Sequence, residues 1–440
     1  MKVLQVNVSN SGSTGAIANS IHRRLLRDGE ESRFLYARGP KTTEPAAPTQ
    51  AMAPTQSVQT APERYVNALL SRLSGRVGCF GKKSTDRILE KMETFHPDVV
   101  HLHNLHGYYA DIFRLLEFLK ERKIKTVLTL HDEFLFTGRC AFSGDCEKWR
   151  VNSPGGIRRF ESGKTALKGV LAPGAVNGPD SAGRMSPRLS GTNVPGCGNC
   201  PRMGEYPAAF LDKSAELWQL KKQVFSEFET LTVVSPSRWL ADRAKESILS
   251  GHPICVIPNG IEQNTFFPGE SAVRDEYEIK EERVVLAAAQ NIMSGRKGGE
   301  YVLKLAETMP KTRFLIVGAQ EEVLCPPNVT LIPGKQSPEE MANLYRGADV
   351  FLITSREDNF PTVCLEAAAC GTPVAGFLSG GAPETVSPKV SNFVPFGDVA
   401  ALKSAVKELF LLDNKEQNAK QFSGAAEEMY QAYRRIYLLN

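Results

Sequence analysis

Short runs of apolar and β-branched residues alternate with amphipathic segments twice along this chain. In the first half, strands are predicted at VLQVNV, DVVHLHN, KTVLTLHD and LTVVSPS, and in the second at RVVLAAAQ, RFLIVGAQ, VTLIPG, DVFLITS and TPVAGF. Helices are predicted between them at segments such as AIANSIHRRLL, DIFRLLEFLKE, YVLKLAETM and PEEMANLYRGA. Nearly continuous apolar strands separated by helices are typical of parallel sheets covered on both faces. The sequence therefore predicts an α/β chain with two doubly wound, Rossmann-like domains that face each other across a cleft.

The turn-rich segment CVIPNGIEQNTFFPG separates the two repeats and sets the domain boundary. We place the first domain at residues 1–255 and the second at residues 256–422, each long enough to bury its own core. Residues 41–64 are rich in Pro, Ala, Thr and Gln, and we expect a loose surface loop there. Residues 151–196 are rich in Gly, Pro and Ser and carry more basic than acidic residues, which predicts a flexible basic insertion.

Composition and charge narrow the class of protein. The hydrophobic share is 42% and the charged share is 23%, which is normal for a globular protein in water. The formal net charge of +4 is too small to indicate nucleic acid, but it is compatible with an anionic ligand or a membrane surface. No stretch is long enough to span a membrane, and MKVLQVNVSN lacks the apolar region of a signal peptide. We expect a cytoplasmic protein, with the inner face of the membrane as a second location.

The stretch SREDNFPTVCLEAAACGTPV, residues 355–374, predicts a loop followed by a helix. Pro361 is favoured near a first helical turn, and the free N–H groups and dipole of a helix start attract phosphate. Asp358 precedes this start and Glu366 follows it, so both carboxylates would flank a bound anion. A diphosphate with hydroxyl groups on either side would use two such acids. The alternative is a solvated loop acid at 358 and a helix-face charge at 366.

Further candidates lie at the predicted strand ends of the first domain. In SGSTG, Gly12 and Gly15 would let backbone amides approach a diphosphate, or they would serve a plain turn between strand and helix. His131 ends the strand KTVLTL at the ligand edge of the sheet, where the alternative is a histidine hydrogen-bonded at a strand end. His101 and His103 share one face of VVHLHNL. For these two we expect cleft-lining or core polar roles rather than a metal pair.

Four of the nine cysteines are clustered in CAFSGDC and CGNC. They form a C-x5-C pair and a C-x2-C pair on either side of the predicted insertion. Four thiolates suit a tetrahedral zinc ion, and disulfides are uncommon in a cytosolic chain. The prediction is a structural zinc at the base of the insertion, with free thiols as the alternative. The four residues are Cys140, Cys146, Cys197 and Cys200.

Several motifs occur in an order that resembles the retaining glycosyltransferase family 4, which has the two-domain GT-B fold. They are NSGSTGAIANSIHRRL, TLHDEFLFTGRCAF, VVSPSRWLADR, VIPNGIEQNTFFP, RKGGEYVLKLA and CGTPVAGFLSGGAPETV. Residues 358–366 resemble the E-x7-E element of this family, except that Asp358 replaces the first glutamate. The DN-P sequence and the cysteine pair after the histidine strand are similar to bacterial polysaccharide-biosynthesis members. The resemblance covers nearly the whole chain.

The resemblance implies roles for individual residues. Glu366 would bind the ribose hydroxyls of a nucleotide sugar, Lys297 would neutralise its diphosphate, and Asp358 would contact the transferred sugar. Arg296 would replace the family arginine that is Asn291 here, or it would be a solvated residue at a helix start. Catalytic roles are implied for His131, Lys297 and Asp358. The full donor-side set is Gly12, Thr14, Gly15, Arg296, Lys297, Asp358, Asn359, Phe360, Pro361 and Glu366, and the acceptor-side set is His103, Asn104 and His131.

The implied activity is retaining transfer of a sugar from a nucleoside-diphosphate sugar to a hydroxyl of a glycan or lipid-linked saccharide in cell-surface polysaccharide synthesis. No third carboxylate stands where a covalent nucleophile is expected, which favours front-face transfer, and the resemblance implies no catalytic metal. The alternatives are a nucleotide-sugar epimerase or hydrolase of the same fold and a non-enzymatic, zinc-containing binding module. Nucleic-acid binding is not expected, because interleaved aromatic residues and clustered basic helices are absent from the sequence.

The last residues, 423–440, contain AAEEMYQAYRRIYLL. Met429, Tyr433, Ile436 and Tyr437 recur at helical spacing and predict one apolar face. The resemblance implies that this terminal helix packs back on the first domain.

Overall fold

The strands of the protein form two parallel sheets. The computed structural model describes residues 1–39, 55–151, 196–319, 323–334, 336–412 and 414–439. The first sheet has the order β3-β2-β1-β4-β5-β6-β7 and the second the order β10-β9-β8-β11-β12-β13. The first contains β1 (Lys2–Ser9), β2 (Glu31–Arg38), β3 (Thr55–Ser57), β4 (Val99–Leu102), β5 (Lys125–Thr129), β6 (Leu231–Ser235) and β7 (Ile254–Val256). The second contains β8 (Arg283–Ala288), β9 (Thr312–Val317), β10 (Val329–Ile332), β11 (Val350–Ile353), β12 (Val374–Phe377) and β13 (Ser391–Val394).

Helices lie between most of the successive strands and cover both sheets. In the first domain they are α1 (Gly12–Arg27), α2 (Ala61–Ser74), α3 (Lys82–Phe95), α4 (Ile112–Glu121), α5 (Ser214–Phe225) and α6 (Arg238–Lys245). In the second they are α7 (Val273–Glu276), α8 (Gly299–Glu307), α9 (Pro338–Gly347), α10 (Thr362–Ala369), α11 (Val399–Leu409) and α12 (Lys415–Ala419), followed by the terminal helix α13 (Ala425–Leu438). The prediction of two doubly wound α/β domains is confirmed.

The prediction of a loose loop at residues 41–64 is wrong for the part that the structure describes. Thr55–Ser57 form the edge strand β3, and α2 begins at Ala61. A capping box explains this helix start, because the backbone N–H of Thr60 donates to the Glu63 carboxylate at 2.9 Å and the Thr60 hydroxyl accepts from the backbone N–H of Glu63 at 3.5 Å. Residues 40–54, and residues 152–195 of the predicted insertion, lie outside the described part.

The core of the first domain follows from the side-chain alternation of its strands. On β1, Leu4 and Val6 belong to an apolar cluster that includes helix α4, whereas Val3 belongs to a second cluster on the other face. That second cluster contains Ile17 of α1 and Tyr433 of α13. The sheet is therefore covered on one face by helices such as α3 and α4 and on the other by α1 together with the terminal helix.

The terminal helix crosses from the second domain to the first. Met429, Tyr433, Ile436 and Tyr437 are buried there, as the apolar stripe in the sequence requires. The Tyr433 hydroxyl hydrogen-bonds to the Thr129 hydroxyl at 2.9 Å, and the Tyr437 hydroxyl to Nδ1 of His101 at 2.7 Å. The helix thus contacts the ends of β5 and β4 directly.

The chain crosses between the domains twice, and the two crossings are in contact. Gly260, in the first crossing, packs so closely on the second that a Cβ atom there would lie 2.5 Å from the carbonyl oxygen of Ala425. The backbone N–H of Gly260 also points to the Met429 sulfur at 3.1 Å. Beside them, Glu262 accepts hydrogen bonds from Ser20 at 2.7 Å and from Arg24 at 2.5 Å. Glycine at position 260 is what allows this approach.

The terminal helix should contribute to the stability of the first domain through Tyr433. We expect Tyr433→Ala to lower the free energy of unfolding by about 3–5 kcal/mol, since a large buried ring is lost and a cavity is left. Tyr433→Phe keeps the ring and removes only the bond to Thr129, so a loss of about 1 kcal/mol is expected. Urea unfolding of both variants measures the difference. If both variants lost the same free energy of unfolding, packing of the Tyr433 ring would not contribute to stability.

Candidate active site

A cavity of about 460 Å³ lies between the two domains, beyond the carboxyl ends of their strands. Its volume is in the range of small-molecule sites, and ligands of doubly wound sheets bind at this edge. The first domain contributes Ser13, Thr14, Ile17, His131 and Phe142, and the second contributes Gln290, Asn291, Ser294, Arg296, Lys297 and the run from Asp358 to Val363, with Asn259 at the junction. Eight of the residues predicted from the sequence are therefore brought together: Thr14, His131, Arg296, Lys297, Asp358, Asn359, Phe360 and Pro361.

The wall formed by the second domain is organised around the Asp358 carboxylate. Lys297 Nζ lies 3.0 and 2.8 Å from its two oxygens, and a terminal nitrogen of Arg296 donates to it at 3.0 Å. Burial of Asp358 disfavours its charge, yet the charges of Lys297 and Arg296 outweigh this and lower its pKa. Arg296 is thus part of the site rather than a solvated residue, and its guanidinium also lies 3.9 Å from the ring centre of Phe142 in the first domain.

The start of α10 forms the floor of the cavity. Pro361 caps the helix, and Thr362 and Val363 of its first turn line the cavity. The Thr362 hydroxyl hydrogen-bonds across the cleft to the Ser13 hydroxyl at 2.9 Å. Free backbone N–H groups at a helix start favour a negatively charged group. An anion in the cavity would therefore face both this helix start and Lys297.

Glu366 lies one turn further along α10 and does not line the cavity itself. The Tyr345 hydroxyl donates to its carboxylate at 2.9 Å. Burial raises the pKa of Glu366, while the hydrogen bonds from Tyr345 and Thr362 oppose this shift. The carboxylate is therefore held in a fixed orientation behind the helix start. Its predicted contact with ribose hydroxyls stays a prediction.

The two predicted glycines serve the geometry of the loop before α1. Gly12 has φ +72°, a conformation that favours glycine. A Cβ atom on Gly15 would lie 2.5 Å from the backbone carbon of Asn10, so this glycine permits close packing within its own chain. Neither lines the cavity, whereas Ser13 and Thr14 between them do. The side chain of Asn7 donates to the Thr14 hydroxyl at 3.2 Å and fixes its position.

The acceptor-side histidines form a buried row behind the cavity. His131 lines the cavity, and its Nε2 lies 3.2 Å from Nδ1 of His103, whose other ring nitrogen contacts Gln5 at 3.2 Å. His103 is fully buried, its ring centre lies 4.0 Å from that of the tilted His101 ring, and it does not line the cavity, so its acceptor-side role stays a prediction. The backbone N–H of Asn104 donates to the Asn7 side chain at 3.2 Å, and Asn104 does not line the cavity. Burial lowers the pKa of His131 to about 4, with Asp132 opposing the shift, so its ring is neutral near pH 7.

Sequence reasoning missed Glu357, and it did not foresee that Asn359 joins the two domains next to the cavity. The Glu357 carboxylate accepts from the backbone N–H of Gly144 in the first domain at 2.6 Å. Asn359 accepts from the Ser237 hydroxyl at 2.5 Å, again across the cleft. Burial and the nearby Glu133 carboxylate raise the pKa of Glu357 to about 8, and Arg243, the hydrogen bond from Gly144 and Arg202 oppose this shift. The polar run Ser355–Asn359 was the available signal, but nothing local shows which of its residues reach the other domain.

The four predicted zinc ligands line one small cavity near the cleft. Cys197 accepts from the backbone N–H of Gly138 at 3.1 Å, and a hydrogen bond from Cys140 lowers the pKa of Cys200 to about 6. Within the described ranges, however, no group of three or more His, Cys, Asp or Glu side chains is spaced to hold a metal ion. The four thiols are thus suitable zinc ligands and line the same cavity, but their positions in this structure do not match those of metal ligands. Zinc stays a prediction.

The raised pKa of Glu357 predicts that closing of the cleft depends on pH. Because its pKa is raised in this arrangement, the closed form is most favoured below the ordinary glutamate pKa and weakens as pH rises towards about 8. We expect Glu357→Gln to remove most of this dependence, since a neutral amide can still accept from Gly144. Small-angle scattering between about pH 5 and pH 8 measures how closing of the cleft depends on pH. Glu300→Gln, at a half-exposed acid of the same domain, is the matched control. An unchanged slope in Glu357→Gln would contradict the assignment.

The cysteine cluster predicts about one zinc ion per chain, since four thiolates complete a tetrahedral shell. Metal analysis of the full-length protein, purified without chelator, is the measurement. The double variant Cys197→Ser/Cys200→Ser should lose the metal, while Cys255→Ser, outside the cluster, should retain it. Protein without zinc, in which all four thiols titrate freely, would refute the prediction.

Residues 270–428 match the family model described as glycosyl transferases group 1. This range begins before β8 and ends in the first turn of α13, so it includes Lys297, Asp358 and Glu366. The match therefore covers the second domain, including the cations and carboxylate that it contributes to the cavity.

Two curated relatives extend this comparison. The putative colanic acid biosynthesis glycosyl transferase WcaC of Escherichia coli K12 is 25% identical over 401 residues, covering 88% of this chain and 85% of the relative. The D-inositol 3-phosphate glycosyltransferase of Segniliparus rotundus is 34% identical over 158 residues. That alignment covers 32% of this chain and 35% of the relative, so it is confined to about a third of each.

Solved structures share the whole fold at low sequence identity. Sucrose-phosphate synthase from Thermosynechococcus elongatus has a TM-score of 0.62 and 15% identity, with 99% of both chains covered. Anabaena Alr3699/HepE in complex with UDP-glucose has a TM-score of 0.58 and 13% identity, with 99% of this chain and 100% of that chain covered. The whole chain thus shares the GT-B fold of these structures, and its second domain matches the model of group 1 glycosyl transferases.

Proposed function

We propose that this protein transfers a sugar from a nucleoside-diphosphate sugar to a hydroxyl group of a glycan or lipid-linked saccharide, with retention at the anomeric carbon. The observation that carries the proposal is the pair of cations, Lys297 and Arg296, held by Asp358 beside the start of α10 in the interdomain cavity. Two cations and a helix start suit the two negative charges of a diphosphate.

The donor would bind mainly to the second domain. Its diphosphate would lie between the helix start and Lys297, and Glu366, fixed by Tyr345, would accept hydrogen bonds from the ribose. Support for the class of donor comes from the Anabaena structure, which contains UDP-glucose in the same fold. Neither the base nor the sugar follows from this likeness.

The chemistry is a substitution at the anomeric carbon. The bond from this carbon to the diphosphate oxygen breaks, and a bond to the acceptor oxygen forms on the same face. The acceptor proton passes to the departing phosphate oxygen, so the atoms and charges balance. Negative charge grows on the leaving diphosphate in the transition state, and Lys297 and Arg296 would stabilise it there.

Retention through a covalent enzyme intermediate would need a free carboxylate close to the anomeric carbon. Among the described residues that line the cavity, Asp358 is the single carboxylate, and both of its oxygens are engaged by cations. This supports front-face transfer. His131, neutral near pH 7, would position a sugar hydroxyl by hydrogen bonding rather than supply a charge.

Support for the class of acceptor comes from a relative that aligns over most of the chain. WcaC is named for colanic acid biosynthesis, and we propose that this protein likewise acts in cell-surface polysaccharide synthesis. A saccharide hydroxyl would then approach from the first domain, on the side of His131.

The function is tested with a panel of nucleotide sugars and saccharide acceptors, and the anomeric configuration of the product is read by NMR. We expect one donor to be consumed with retention, and Lys297→Ala to lower kcat by about 100-fold, since it removes charge stabilisation in the transition state. Lys304→Ala, at an exposed lysine of α8 outside the cavity, should leave kcat unchanged. An inverted product would refute the retaining mechanism. Donor cleavage at the same rate without acceptor would instead indicate a hydrolase.

A further inference from the structure

Helix α2 exposes its apolar face to solvent. Of its side chains, Tyr65 is 67% exposed, Leu69 57% and Leu73 51%, and Ser71 is its one buried residue. Amphipathic helices of globular proteins normally turn such a face to the core. Phe210, 66% exposed, adjoins the end of this helix, where its backbone N–H donates to the carbonyl of Arg72 at 2.9 Å. We define the α2 patch as Tyr65, Val66, Leu69, Leu70, Leu73 and Phe210.

The α2 patch is bordered by basic side chains. The guanidinium of Arg64 lies 4.9 Å from the ring centre of Tyr65, and that of Arg72 lies 5.2 Å from the ring centre of Phe210. In the part of the chain that the structure describes, neither arginine forms an ion pair within 4.0 Å. Their charges remain available to a ligand outside the protein.

The acids near the patch are already engaged. The Glu63 carboxylate accepts from Arg87 at 2.8 and 2.9 Å, and Glu216 forms an ion pair with Arg76. Asp212 accepts backbone N–H groups of Cys200 and Ser214 at 2.7 and 2.9 Å. The surface therefore combines exposed apolar side chains with a rim on which positive charge is dominant.

We propose that the α2 patch docks on the surface of a bilayer that contains anionic phospholipid. Aromatic and aliphatic side chains on one helix face would enter the headgroup boundary, while arginine side chains at its edge would reach lipid phosphates. Charge complementarity is what selects this partner over an uncharged apolar surface. None of the helices that the structure describes has the length and apolar character of a membrane span.

Contacts between described residues link the patch to the first-domain side of the cavity. The Asn67 side chain of α2 donates to the carbonyl of Tyr108 at 3.1 Å, and the ring of Tyr108 contacts that of Tyr206. The Tyr206 hydroxyl lies 3.0 Å from His106, which contacts Asp132 at 2.6 Å. The residue directly before Asp132 is His131, which lines the cavity. A docked protein would thus hold its acceptor side near the bilayer, which deepens the proposed function by favouring a lipid-linked acceptor.

The test is flotation of the full-length protein with vesicles of phosphatidylcholine alone and with vesicles in which phosphatidylglycerol replaces about a third of it. We expect binding to the anionic vesicles that weakens with salt, and at least about a tenfold loss of binding for Leu69→Ser/Leu73→Ser. These side chains are exposed, so the fold should be retained, which circular dichroism checks. Leu324→Ser/Leu411→Ser is the matched control, because both leucines are exposed outside the patch.

Several outcomes would overturn the docking proposal. They are absence of flotation with anionic vesicles, equal binding by the patch variant, or an equal loss in the control variant. A patch that instead joins two copies of the chain would give a wild-type dimer in sedimentation equilibrium that becomes monomeric in the patch variant, without flotation. Vesicle binding without any sugar transfer would leave the docking surface standing and refute the proposed function alone.

Discussion

A buried carboxylate between two cations is the interaction on which the site depends. Asp358 would be costly to bury as a charge, and Lys297 and Arg296 compensate for that cost by direct contact. The same contacts hold two positive charges side by side at a helix start before any ligand is present. A diphosphate would enter a site whose cations are already positioned, so little reorganisation would accompany binding.

The residues on either side of this carboxylate connect it to the other domain. Glu357 contacts the backbone of Gly144, and Asn359 contacts Ser237, so three consecutive side chains bind three different parts of the structure. A change in the ionisation of Glu357 would therefore act on the cleft through the same short loop that positions Asp358. Ligand binding and domain closing share this loop.

The alternation of strand and helix patterns was sufficient to predict the fold class, since buried parallel strands have a strong local signature. Strands β2, β3, β7 and β13 were not predicted. β3 and β7 have three residues each, and β2 begins with the polar run Glu31–Arg33, so periodicity carries little information there.

Only part of the candidate site could be predicted, again because only local patterns in the sequence are informative. Motifs around Lys297 and Asp358 are local in sequence, and they indicated the residues that line the cavity. The contact of Glu357 with Gly144 joins positions 213 residues apart, and no spacing rule encodes it. In the same way, the sequence indicated Gly12 and Gly15, but only their surroundings show that Gly12 adopts a positive φ and that Gly15 allows close packing on Asn10.

The contact between the two domain crossings at Gly260 has a mechanical consequence. Two bodies joined by a pair of adjacent chain segments can swing about the line through that joint, but they cannot readily slide past or twist against one another. Opening of the cleft would then be a hinge rotation with its axis near Gly260 and Ala425. Such a rotation exposes the cavity to solvent while the core of each domain stays intact, so each turnover would require only the contacts across the cleft to break and re-form.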